Sequence, residues 1–119
     1  MSKDYNRVVL VGRLGGDPVQ RDLPSGDIAV SFSLTTGESW KDAQTGEKQE
    51  RTQWHKIVIL NQGLAKIANQ YLGKGSLVMV EGQLENRSWA KDGATHQATE
   101  VVLRPFNGEL LLLDPKPQP

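Results

Sequence analysis

The sequence contains no cysteine among its 119 residues, so neither a disulfide framework nor a thiolate metal site is available to the fold. Aromatic residues make up only 6%, and no apolar run approaches the about 20 residues of a membrane-spanning helix. An excess of charge is also lacking, because 14 Lys and Arg balance 14 Asp and Glu. Any nucleic-acid site would therefore depend on where cations are placed locally.

The length of the chain fits one domain that buries its own core. We assign residues 1–113 to this domain and residues 114–119, "DPKPQP", to a flexible C-terminal end. The N-terminal residues lack the apolar run of a secretory signal, and the absence of cysteine agrees with a reducing compartment. We therefore expect a cytoplasmic protein.

Alternating apolar residues predict β-strands over most of the chain. The predicted strands cover residues 7–14, 27–34, 53–60, 76–89 and 94–106, with a further short strand near residues 110–113. Asp92 and Gly93 separate two of them, and this dipeptide is a strong signal for a two-residue hairpin turn. The glycines in or beside strands, where bends and bulges need them, are at positions 12, 15, 16, 37 and 82.

One segment, residues 61–75, has helical periodicity instead. Leu64, Ile67, Ala68 and Tyr71 recur at helical spacing and predict a short amphipathic helix. The resulting order of three strands, a helix and two strands is that of a five-stranded OB-type barrel, although an open sheet can share it.

All three tryptophans lie beside cations. The groupings are Trp40 with Lys41, Trp54 with Lys56, and Trp89 with Arg87 and Lys91. An aromatic ring stacks on any base for about 1–3 kcal/mol, while neighbouring cations hold the phosphates. The simpler interpretation, that the rings close the ends of the core, suits one tryptophan better than three. We therefore predict that the rings lie at the surface and bind single-stranded nucleic acid.

Alternation along the strands predicts opposite faces for Trp54 and Trp40. Trp54 has the parity opposite to Ile57 and should face outward. Trp40 shares the parity of Phe32, a core position, so it reaches the surface only if its strand bulges or twists sharply. We place this bulge at Gly37.

Several segments agree in order and spacing with a known family. They are "NRVVLVGRLGGDPVQRDLPSG", "GESWKD", "TQWHKIVI", "YLGKGS", "VEGQLENRSW" and "ATEVV", within roughly residues 5 to 113. Together they resemble the bacterial single-stranded DNA-binding protein family. The resemblance implies an all-β, five-stranded OB-fold barrel with one short helix between the third and fourth strands. It also implies a homotetramer, at the nucleoid, that wraps and protects single-stranded DNA during replication, recombination and repair.

The resemblance further implies roles for particular residues. Base stacking falls to Trp40, Trp54, Trp89 and Leu60. Phosphate contacts fall to Arg7, Arg21, Lys56, Lys74 and Arg87. We expect DNA binding to be weaker or differently distributed at Leu60, because the family usually has phenylalanine there and leucine has no π-face. His55 falls at the subunit interface by resemblance, and Tyr71 is a second candidate there because open strand edges need covering.

Two other functions stay open at this point. An OB-type interaction module of a primosome or of translation would bind a protein or a structured RNA. A nuclease would need clustered acidic metal ligands, whereas the acids here are scattered singly. His55 has no accompanying nucleophile pattern and His96 no second ligand at metal spacing, so we expect no catalytic residue, metal or cofactor.

The C-terminus departs from the family pattern. The family ends in a flexible linker with an acidic tip that recruits replication and repair enzymes, whereas this sequence ends at "LLLLDPKPQP". We expect such proteins as partners only if an acidic tail exists outside this chain, and we expect no membrane partner.

Overall fold

A computed structural model describes residues 3–115, which form seven β-strands and one α-helix. The strands are β1 (Val8–Leu14), β2 (Val19–Asp22), β3 (Ile28–Lys41), β4 (Lys48–Ile59), β5 (Leu77–Lys91), β6 (Ala94–Leu103) and β7 (Glu109–Leu112). Helix α1 (Gln62–Tyr71) lies between β4 and β5. The domain boundary at residue 113 stays a prediction, and residues 116–119 of the predicted flexible end lie outside the described residues.

The five long strands close into a barrel because β1 pairs on both of its edges. It pairs antiparallel with β5 from Val8↔Gly82 to Arg13↔Leu77, and its C-terminal end pairs with β3. From β3 the ladder continues through β4, β6 and β5 back to β1, with β4 and β6 parallel. The predicted OB-type barrel is thereby confirmed, and the open sheet is not what the chain forms.

Two glycines allow neighbouring strands of the barrel to approach closely. A Cβ atom on Gly12 would lie 2.1 Å from the carbonyl oxygen of Thr35, and one on Gly82 would lie 2.6 Å from that of Val102. Real Cβ atoms do not come this close to backbone atoms. Glycine is therefore required at both positions, at Gly12 where β1 meets β3 and at Gly82 where β5 meets β6. The sequence predicted glycines in these strands for bends and bulges, whereas the structure shows a close approach of backbones.

The core consists of the inward-facing residues of the strands and one side of the helix. Its largest fully buried side chains are Leu34, Ile57, Ile59, Leu103, Val30, Val78 and Val80. Each has the opposite parity to its chain neighbours on the outer face, because successive side chains of a strand alternate. The outer face of the barrel is therefore free to carry a binding site.

Helix α1 covers one end of the barrel with two alanines. It begins at Asn61, whose side-chain oxygen accepts a hydrogen bond from the backbone N–H of Leu64. Ala65 and Ala68 are its buried residues, whereas Ile67 is exposed. The predicted apolar face was therefore partly wrong, because small residues let the helix lie close to the strands. No helix among the described residues is long and apolar enough to cross a membrane.

The β3–β4 hairpin extends beyond the barrel as a two-stranded arm. Residues pair one to one up to Lys41↔Lys48, and Gly37 pairs with Thr52 in that same register. The predicted bulge at Gly37 is therefore wrong. The arm was not predicted from the sequence, because the residues of the arm face no core and therefore need no apolar alternation.

The remaining short elements confirm one prediction and add a strand. Asp92 and Gly93 both have positive φ, of 53° and 77°, and connect β5 to β6 in the predicted two-residue hairpin. Strand β7 pairs with β5, as the apolar run near residues 110–113 suggested. Strand β2, paired with β3, was not predicted, since its residues alternate too weakly.

Replacing Gly12 by alanine tests the closure of the barrel. The new methyl group would meet the Thr35 carbonyl, so we expect the variant to lose about 1–3 kcal/mol or more of the free energy of unfolding. Gly16→Ala is the matched control, because a Cβ atom there meets nothing within 4 Å. Denaturant unfolding with an unchanged m-value measures the difference. Equal midpoints for the two variants would contradict the close approach.

Candidate nucleic-acid interface

A groove of about 550 Å³ runs over the outer face of β2, β3, β4, β6 and β5. Its charged lining consists of four cations, Arg21, Lys56, Arg87 and Arg104, and two carboxylates, Glu85 and Glu100. Four cations against two carboxylates leave the groove with two net positive charges. The neutral chain thus has a locally positive surface, as the zero overall charge required for any nucleic-acid site.

The two carboxylates hold two of the cations in place. Arg87 donates to Glu100 at 3.2 and 3.3 Å, and the side chain of Glu100 is buried on the floor of the groove. Arg104 donates two hydrogen bonds of 2.7 Å to Glu85. This pairing lowers the pKa of Glu85 and raises the pKa of Arg104. Both guanidinium groups are therefore positioned before any ligand arrives.

Lys56 and Arg21 complete the positive lining from the other side. Lys56 lies on β4, where it pairs in register with Glu100 of β6. Arg21 lies on β2 and pairs with Ala29 of β3. The predicted cations Arg21, Lys56 and Arg87 are thus brought together in one groove.

Trp54 continues this face of β4, two residues from Lys56. Its side chain is 66% exposed. A Cβ atom on Gly15 would lie 2.4 Å from the Cζ3 atom of the indole, so the edge of the ring rests directly on the backbone of Gly15. The outward orientation predicted for Trp54 is confirmed by its position on the outer face.

Trp89 lies near the end of the β5–β6 hairpin and is 38% exposed. The guanidinium carbon of Arg87 is 4.6 Å from its ring centroid, which is a cation–π contact. His96, directly opposite on β6, stacks on the indole with a centroid distance of 5.7 Å and an interplanar angle of 24°. The register of the predicted hairpin places His96 opposite Trp89, although His96 has no second ligand at metal spacing that would have indicated a role.

Trp40 lies on the arm and is 46% exposed. Its partner is Arg51, whose guanidinium carbon lies 5.5 Å from the ring centroid and which also hydrogen-bonds to Glu38. Because the arm register has no bulge, Trp40 and Trp54 project from opposite faces of the β3–β4 ladder. Trp40 is accessible because the arm leaves the core, not because the strand is broken.

Of the other predicted DNA contacts, one lines the groove and two lie outside its lining. Leu60 contributes to its lining. The backbone N–H of Lys74 donates to Asp17 at 2.8 Å, which places Lys74 beside the loop that supports Trp54. Arg7 lies outside the groove, 3.6 Å from Glu81, and a hydrogen bond with Tyr5 raises its pKa.

The two predicted subunit contacts are both accessible. Nε2 of His55 lies within hydrogen-bonding distance of Oγ1 of Thr36, at 2.8 Å, and the ring is half-buried. Tyr71 is exposed and lines an apolar groove with Leu77 and Leu112. Within residues 3–115, no group of three or more His, Cys, Asp or Glu is placed to hold a metal ion.

Sequence reasoning missed the groove residues that carry no motif. Glu85 could have been found, because it alternates with Arg87 and Trp89 along one strand face. Glu100 reads as an ordinary polar residue before an apolar run. Arg104 follows the last residue of β6, so no periodicity indicates where it points.

A closed β-barrel of OB type with a positive groove and accessible indoles has the features of the proteins that bind single-stranded nucleic acids. The profile of the single-strand binding protein family matches residues 5–108, and the chain belongs to this family. The resemblance identified from the sequence is thereby confirmed.

Two relatives are similar over nearly the whole chain. The single-stranded DNA-binding protein of Rickettsia conorii is 43% identical over 117 residues, which span 98% of this chain and 77% of that protein. A solved structure, the Plasmodium falciparum SSB complex with ssDNA, superposes with a TM-score of 0.86 at 38% identity. It covers 96% of this chain and 99% of that one.

The seat of Trp54 on Gly15 can be tested without breaking the fold. Gly15→Ala should push the indole away while changing the free energy of unfolding by no more than about 0.5 kcal/mol, because an exposed side chain can move. With Trp40→Phe and Trp89→Phe, the emission of Trp54 alone reports its environment. We expect Gly15→Ala to shift that emission and Gly16→Ala to leave it unchanged. An identical spectrum in both would argue against the contact.

Proposed function

We propose that this chain binds single-stranded DNA without base-sequence preference, with bases stacked on exposed indoles and phosphates held by the cations of the groove. Membership of the family confirms the binding of single-stranded DNA as the class of function. The observation that carries the proposed mode is the positive groove, whose lining residues Lys56 and Arg87 share strand faces with the accessible rings of Trp54 and Trp89. Trp40 adds a third accessible ring on the arm. Stacking on Trp40, Trp54 and Trp89 requires only the π-face that every base has, so it tolerates any sequence.

The groove and its surroundings suggest how the contacts are divided. Arg21, Lys56 and Arg87 bind phosphates inside the groove, and Leu60 presses its apolar side chain on a base. Lys74 extends the positive path toward Trp54. Arg7 meets DNA only if the strand continues around the barrel, which agrees with wrapping.

The same proposal gives the protein a stoichiometric role rather than a catalytic one. It covers and protects exposed single strands during replication, recombination and repair, in the cytoplasm at the nucleoid. It acts without a cofactor. Recruitment of replication and repair proteins belongs only to a form that carries an acidic C-terminal tail.

The role of the groove cations is tested by titrating oligo-dT and following tryptophan emission at several salt concentrations. We expect quenching, little dependence on base composition, and affinity that falls as salt rises. Lys56→Ala should weaken binding and reduce the slope of log K against log salt by about 0.7, the value for one phosphate on a single strand.

Lys66→Ala provides the control, because Lys66 lies on the exposed side of α1 and does not line the groove. It should bind as the wild type does. If both lysine variants lost the same affinity and slope, the cations would act through overall charge, and the groove would lose its role. Cleavage of the oligonucleotide would contradict the non-catalytic role.

We further propose that four copies of the chain assemble, with His55 and Tyr71 among the contacts. Apolar side chains support self-association, since Val11, Met79 and Leu111 lie side by side on β1, β5 and β7. Val11 and Leu111 are exposed there, on a face of the barrel apart from the groove. A contiguous exposed apolar surface of this kind is typical of a contact between proteins.

Sedimentation equilibrium tests this assembly. We expect a mass four times that of one chain, and a lower mass for Val11→Glu, which places a charge in the apolar row. Val19→Glu is the matched control, because Val19 is also an exposed strand valine but lines the groove. A single-chain mass for the wild type, or equal dissociation of both variants, would contradict the proposal.

A further inference from the structure

Phe106 is the most exposed large apolar side chain of the described residues, with a relative accessibility of 103%. Its backbone φ is +63°, in the left-handed region that residues other than glycine rarely adopt. Phenylalanine loses favourable burial in this position and also accepts backbone strain. Neither property helps the fold, so both call for a reason outside it.

The ring stands at the tip of a tight turn. The N–H of Asn107 donates to the carbonyl of Arg104 at 3.1 Å, which closes a four-residue turn with Pro105 and Phe106 in the middle. Proline followed by a positive φ is the pattern of a type II turn, whose third position normally belongs to glycine or asparagine. A phenylalanine there projects away from the body of the protein.

Both ends of this turn are fastened to β5. Arg104 donates to Glu85, and Asn107 donates to Gln83 at 3.1 Å. Gln83 in turn donates to Glu85 at 2.6 Å, so the two attachments form one polar network. A strained conformation persists when its surroundings fix it in this way. The turn is therefore a rigid support for the exposed ring.

The turn also stands next to the groove. The side chain of Arg104 lines the groove, two residues before Phe106. The N–H of Leu60, another lining residue, donates to the carbonyl of Leu103 at 2.9 Å, immediately before the turn. Near the turn, the groove is thus lined by Arg104 and Leu60. The indoles are carried elsewhere, on the arm, on β4 beside Gly15 and on the β5–β6 hairpin.

We propose that Phe106 is a fourth base-stacking ring, held beside Arg104 so that a base rests on the ring while the guanidinium meets the adjoining phosphate. The inference rests on the proposed binding of single-stranded DNA and names one more contact for it. A nucleobase fits better than a protein surface, because a single projecting ring next to a positive groove matches the alternation of base and phosphate.

Two substitutions separate the ring from the backbone. Phe106→Gly removes the ring and suits the positive φ, so it should raise the melting temperature while weakening oligo-dT binding by about 5- to 150-fold. Its slope of log K against log salt should equal that of the wild type, because no charge is lost. Phe106→Trp keeps a ring, so it should bind as the wild type does and add emission that oligo-dT quenches.

An abasic deoxyribose-phosphate oligomer shows whether the loss concerns bases. It should bind the wild type and Phe106→Gly equally, since a ring stacks on bases and not on phosphates. Wild-type affinity for oligo-dT in Phe106→Gly would overturn the inference while leaving the proposed function intact. Unchanged DNA binding with an altered sedimentation profile would instead assign the ring to a contact between copies. No binding of oligo-dT by the wild type itself would overturn both proposals.

Discussion

The pairing of β1 with both β3 and β5 is the constraint on which the interface depends. It closes the sheet, and closure requires the bare backbone of Gly12 where β1 approaches Thr35 of β3. The barrel pairs only part of β3, β4, β5 and β6 with a third strand, and the remaining ends project as the arm and the β5–β6 hairpin. Two of the three indoles, Trp40 and Trp89, stand on these projections. The groove lies on the outer face of the barrel, and its lining residue Arg87 contacts the ring of Trp89.

The charged side chains are also arranged by position within the fold. The chain has no net charge, yet its groove is positive, because only two carboxylates face four cations there. Glu85 and Glu100 reduce the total attraction for phosphate, but they fix Arg104 and Arg87 in the orientation that a ligand would meet. The two carboxylates therefore weaken the positive potential of the groove but hold the two guanidinium groups in place. The positions of the cations then matter more than their number.

The sequence predicted the elements that face a core and missed those that do not. Alternating apolar residues located the long strands and, with the helix, the order of the barrel, because burial imposes a period. The arm has no buried face, so no apolar period in its sequence indicated that it forms strands. Only the pairing of β3 with β4 in the structure shows it. Helix α1 was placed correctly but rotated, since Ala65 and Ala68 pack closer than the larger Ile67 and Tyr71 could.

Site residues follow the same division between local and long-range information. Trp54 was located by parity along one strand, whereas its seat on Gly15 joins residues that are distant in the chain. Trp40 is exposed, as predicted, but the predicted cause, a bulge at Gly37, was wrong. The arm is unbroken and exposes both of its faces. Since Trp40 and Trp54 then project from opposite faces of one ladder, a strand of DNA that reaches both rings has to curve around the arm. The positions of these two indoles within one chain would therefore by themselves require a strand that stacked on both to bend.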